Sequence, residues 1–67
     1  MLIKTHIFEL YDSKYKSVNE LAKAMGVPVL QVTEVQQGKL SIDELFILGA
    51  IKAFPEYRVN QLFYFQD

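Results

Sequence analysis

Cysteine is absent from these 67 residues, proline occurs only twice, glycine three times and histidine once. Without cysteine no disulfide can staple a chain whose length leaves a lone core near the margin of stability. Charge of one sign is lacking as well: seven lysines and arginines face eight acids, for a net charge of −1. Any affinity for nucleic acid must therefore come from local patches rather than from the whole chain. No apolar run approaches the roughly 18 to 20 residues of a membrane span. The start, MLIKTHIFELYDSK, has no basic segment, long apolar run or small-residue cleavage site of a signal peptide. The expectation is one cytoplasmic domain with no membrane partner.

What is present is an apolar fraction of 51 % arranged as short helices between distinct punctuation. Two capping boxes stand out, SVNE at residues 17–20 and SIDE at residues 41–44. In each, the serine oxygen can accept from the backbone N–H three residues on while the glutamate reaches back to the serine N–H. Such a cap stabilises its helix by about 1 kcal/mol. From Ser17 the spacing of Val18, Leu21, Ala22 and Met25 predicts one buried helical face, ended at Gly26. Pro28 suits the first turn of the next helix, in which Val32 and Val35 face inward and Gly38 closes the last turn.

A third helix from Ser41 is expected to bury Leu45, Leu48 and Ile51, with Ala50 and Phe54, and to stop at Pro55. Gly49 in its middle costs about 1 kcal/mol relative to alanine, so another helix is expected to pass close by. Around this centre, a helix over residues 6–13 would bury Ile7, Leu10 and either Tyr11 or Phe8, and a short helical turn would run from Val59 to Leu62. The ends, MLIK and LFYFQ, have strand-forming composition; they either pair as antiparallel strands, the favoured reading, or tuck into the core.

Leu21, Ala22, Met25, Gly26, Val27, Val32 and Val35, with the QQGK that follows and the downstream SIDELFILGAIKAFPEYRVNQLFYF, resemble the phage lambda repressor and Cro-like (Xre-type) helix-turn-helix family. The likeness covers most of the chain. It implies an all-α, compact domain of four to five helices, with the strand pair as an addition and the motif at about residues 17–37. The spacing has a physical basis: a small side chain at Ala22 lets the second helix approach, and Gly26 permits a backbone angle that a side chain would obstruct.

In that family the second helix of the motif enters the DNA major groove. The resemblance implies Pro28, Val29, Leu30, Thr33, Glu34 and Gln37 as base-facing and Lys14, Lys16, Ser17, Asn19, Lys23 and Lys39 as phosphate-facing. The base-facing set departs from the usual serine, glutamine, threonine and arginine, since it is mostly apolar with one acid. Gln37 could pair with adenine, Glu34 could accept from a cytosine amine, and Val29, Leu30 or Thr33 could touch thymine methyls. Four lysines per subunit would be eight per dimer, a log–log salt slope on the order of −7.

Each of these residues also has a plainer reading. The lysines are equally well a solvated surface. The aromatic run of Phe63, Tyr64 and Phe65 is better explained as core and strand than as a stacking platform, because no basic residue interleaves it. His6 has no cysteine or spaced carboxylate beside it that would argue for a metal, and Asp43 and Glu44 suit a helix N-terminus. No nucleophile, base and orienting group stand together, so neither an enzyme nor a cofactor is expected. Two functions remain: a DNA-binding transcriptional regulator acting as a homodimer through an apolar surface near the C-terminal tail, or the same fold docking a protein partner through Val29 and Leu30.

Overall fold

The computed structural model describes residues 2–67, in which five helices and one antiparallel strand pair occur. β1 (Leu2–Thr5) leads into α1 (Ile7–Leu10), which tightens into a 3-10 turn over Tyr11–Ser13. α2 (Val18–Met25), α3 (Val29–Gln36), α4 (Glu44–Ala53) and α5 (Val59–Leu62) follow, and β2 (Phe63–Gln66) returns to β1. The helix expected over residues 6–13 is thus one α-helical turn continued as a 3-10 turn, with Ile7 fully buried and Phe8, Leu10 and Tyr11 packed against the core. The two ends pair with Leu2 opposite Gln66 and Thr5 opposite Phe63.

Local chemistry explains the boundaries. Ser17 Oγ accepts from Glu20 N at 3.3 Å, while Glu20 Oε1 takes the N–H of Lys16, at 3.3 Å, in place of the serine N–H. Gly26 adopts φ +75°, and α2 closes with Gly26 N donating to Lys23 O and Val27 N to Ala22 O, the paired bonds of a Schellman turn. α3 ends in the same way: Gly38, at φ +78°, donates to Val35 O and Lys39 N donates to Glu34 O. Pro28 lies one residue before the first helical residue of α3, where its ring fixes φ at −63°.

α4 departs from the sequence expectation in two respects. Its cap is Asp43, whose Oδ1 accepts from Phe46 N at 2.9 Å; Ser41 lies two residues further out. The helix therefore begins at Glu44; the expected box at Ser41 does not form, and at Ser17 only the serine half of the expected box does. Its buried face carries Phe46, Gly49, Ala50 and Ala53, whereas Leu45, Leu48 and Ile51 are 66, 54 and 37 % exposed. ELFILGAIKA is apolar almost all round, so periodicity cannot choose a face, and close approach does. A Cβ on Gly49 would stand 2.6 Å from Met25 O, so α2 can reach α4 only across the glycine and alanine side.

The core joins α2, α3 and α4 to the ends: Ile7, Leu21, Ala22, Met25, Val32, Phe46, Ala50, Ala53, Phe54, Leu62 and Phe63 are buried. Phe46 meets Phe63 edge-on at 6.4 Å, and Tyr15 meets Phe54 edge-on at 5.7 Å. Tyr15 OH donates to Ala53 O at 2.6 Å, which satisfies a carbonyl left open at the end of α4. Thr5 fastens the strand pair to both flanking helices, its Oγ1 donating to Leu62 O at 2.8 Å and accepting from Ile7 N at 3.2 Å. Among the described residues no helix is long and apolar enough to cross a membrane.

Candidate nucleic-acid interface

The two helices of the motif are held by their rear faces. Val32 is fully buried and Val35 half-buried, so α3 rests on the core along one side. At about 100° per residue, Val29, Thr33, Gln37, Leu30 and Glu34 fall on a contiguous arc of about 140° centred opposite those valines. The structure brings these five together on the accessible side, with the exposed Pro28 leading into it. Val29 and Leu30 are 41 and 65 % exposed, and Thr33 and Glu34 are half-buried.

The chemistry of this surface is sparse. Thr33 turns its hydroxyl back into the helix, donating towards Leu30 O at 3.0 Å and Val29 O at 3.2 Å, which leaves its methyl group as the outward contact. Gln37 is exposed. Gln31, one helical position from the arc, is committed elsewhere: its Nε2 lies 3.3 Å from each carboxylate oxygen of Asp43 and ties α3 to the cap of α4. No basic residue lies on α3, and Glu34 contributes a negative charge.

Of the candidate phosphate-facing residues, Lys16, Ser17, Asn19, Lys23 and Lys39 are exposed, at the start and flank of α2 and just beyond α3. Ser17 spends an oxygen lone pair on the cap of α2. Lys14 belongs to the fold. Its ammonium donates to Glu56 Oε1 at 2.8 Å and to Ala53 O at 2.9 Å, and stands 5.7 Å from the ring centres of both Tyr15 and Phe54. The hydrogen bond to Glu56 raises the Lys14 pKa above its ordinary value, and the same bond holds the Glu56 carboxyl below its own.

His6 stacks on Tyr64 with ring centres 4.5 Å apart, and its Nδ1 lies 3.7 Å from Glu9 Oε1. Among the described residues, no group of three or more histidine, cysteine or acidic side chains is placed to hold a metal ion. Sequence reasoning missed the exposed stripe on α4 because it placed Leu45, Leu48 and Ile51 inside. The available signal was Gly49: a buried face centred near a point of close approach takes in Phe46, Ala50 and Ala53. Comparison of the chain with protein-family models, curated proteins and solved structures gives no match.

Proposed function

We propose that the chain is a small helix-turn-helix protein, similar to the lambda repressor and Cro-like family, that binds duplex DNA as a transcriptional regulator and performs no catalysis. The observation that carries this reading is the α2–turn–α3 unit. A left-handed glycine closes α2, Val32 and Val35 secure the back of α3, and Pro28, Val29, Leu30, Thr33, Glu34 and Gln37 are left on its open side. A helix presented in this way can enter the major groove with its first turns nearest the bases. Gln37 supplies the one bidentate amide, worth roughly 1–3 kcal/mol of discrimination at an adenine. Val29, Leu30 and the Thr33 methyl read thymine methyl groups and shape.

Attraction comes from outside α3. Lys16, Lys23 and Lys39, with Asn19 and the N–H groups at the start of α2, meet the phosphates. With Lys14 committed to Glu56 and Ala53, three lysines per subunit remain, or six in a dimer on two half-sites. The expected log–log salt slope is then about −5. Lys23→Ala and Lys39→Ala should weaken binding to every sequence and flatten that slope, Gln37→Ala should change sequence preference, and Lys14→Ala should leave the slope unchanged. The test is retention of a random duplex library on the purified protein at low and physiological salt, with the retained fragments sequenced. A palindromic motif supports a dimeric reader, and absence of retention at low salt overturns the proposal.

The exposure of Leu30, at 65 %, favours a second reading in which α3 docks an apolar groove on another protein. Leu30→Glu would then abolish a complex whose affinity barely responds to salt. A steep loss of that affinity between low and physiological salt rules this reading out.

A further inference from the structure

The outward side of α4 is apolar where a small monomer would ordinarily be polar. Leu45, Leu48 and Ile51 stand exposed along it, and beside Leu45 and Leu48 runs a shallow groove of about 220 Å³ whose far wall includes Val27 and Pro28. Charges frame the stripe: Glu44 at the first position of α4 and Lys52 in its last turn. The two ion pairs among the described residues are His6–Glu9 and Lys14–Glu56, so Glu44 and Lys52 take part in neither.

The pattern is symmetric about Leu48. Leu45 and Ile51 lie three residues to either side of it, Glu44 and Lys52 four residues to either side. A two-fold interface joins the same patch on two copies, so each patch must be complementary to itself. Crossing α4 antiparallel with a second α4 at Leu48 places the two Leu48 side chains at the axis, each Leu45 at the level of the other copy's Ile51, and each Glu44 at the level of the other copy's Lys52. A parallel pair would instead set Glu44 against Glu44 and Lys52 against Lys52.

Area agrees with this occupant. The three side chains, with Val27 and Pro28 at the groove, expose roughly 300–400 Å² of apolar surface, within the range of the largest patch on an ordinary monomer, which is often functional. A standard interface takes about 800 Å² from each partner, a little over half of it apolar, so the stripe supplies most of the apolar share. The exposed aromatic tail, with Phe65 70 % exposed, has no such charge symmetry.

We infer that the partner of this face is a second copy of the chain, joined by antiparallel α4–α4 packing about Leu48. The inference concerns the dimer that the DNA-binding proposal assumes, and it is read without DNA, so a monomer here would remove the second half-site while salt-sensitive retention of DNA is tested by itself. Sedimentation velocity of the full chain across micromolar to millimolar concentration tests it, with circular dichroism confirming that each variant is folded. The wild type should sediment as a dimer at the upper end. Leu48→Glu sets two like charges at the axis and should weaken dimerisation by about a hundredfold or more. Glu44→Lys and Lys52→Glu should each weaken it, and an equimolar mixture of the two should restore a dimer, because each mixed pair brings opposite charges together at both ends. A wild type that stays monomeric throughout overturns the inference, as does a dimer indifferent to all three substitutions. A dimer lost in Phe65→Ser but kept in these variants also overturns it and moves the interface to the strand pair.

Discussion

Gly49 decides how α2 and α4 meet. Alanine is normally the better helix former by about 1 kcal/mol, yet here its methyl group would meet Met25 O, a backbone atom that cannot rotate away. Gly49→Ala should therefore destabilise the fold by about 1–3 kcal/mol in urea unfolding, as overpacked sites do; equal or greater stability would show that the helices have slack there. Lys14 is the contrasting case. Gly49 announced its role through its cost in a helix, whereas Lys14 reaches Ala53 and Glu56 across 39 and 42 residues, a separation that local pattern cannot span. The pair also sets a pH window. Glu56, lowered by its bond to Lys14, contributes stability above the usual carboxylate range and loses it as pH falls through its own depressed value. Lys14, raised by the same bond, contributes below the usual lysine range and loses it as pH rises through its elevated value. Both groups are exposed, so the change is small. Melting temperatures of the wild type and Glu56→Gln should differ slightly near neutral pH and converge in acid; a gap that persists in acid would contradict the pairing.

At the level of elements, turn chemistry was more legible than helix faces. Both Schellman ends could be read from Gly26 and Gly38, since a residue with positive φ closing a helical run is nearly always glycine or asparagine. The start of α4 was ambiguous because SID offers two capping oxygens two residues apart, and tertiary position selects Asp43, which also receives Gln31. Asp43→Ala should accordingly cost about 1 kcal/mol or somewhat more, and Ser41→Ala less than about 0.5 kcal/mol. Chemical denaturation of the two variants side by side checks this, and the reverse order would restore the serine cap. The face of α4 was illegible for a different reason. Leu45, Leu48 and Ile51 fit helical spacing as well as Phe46, Ala50 and Ala53 do, so only the width of the gap to α2 distinguishes the two sides. The outward arc of α3 was readable because Val32 and Val35, three residues apart, fix its inner side.

Across the whole molecule, the strand pair gathers both ends of the described chain over the core. The composition of the ends suggested strands, but not the contact made by Thr5, whose hydroxyl spans 57 residues to Leu62. Thr5→Val keeps the shape and removes both hydroxyl bonds; it should lower stability by about 1 kcal/mol, with Ile7 N left short of a partner in a partly buried site. Amide exchange supplies the check: the His6 amide, bonded to Leu62 O at 2.8 Å, should exchange through global unfolding in the wild type and through a local, faster opening in the variant. Equal protection in both would mean that the strands hold without the threonine.

The pairing of Leu2 with Gln66 has a topological consequence, because neighbouring strands run about 5 Å apart. A linker of a few residues would convert the chain into a ring without disturbing the fold. Ring closure at this length removes roughly 4 kcal/mol of freedom from the denatured ensemble in the chain-entropy picture. Fresh termini opened in the loop between Gly38 and Ser41 would give a circular permutant whose helices pack as before, while anything fused at the old ends would emerge side by side from a single edge of the domain.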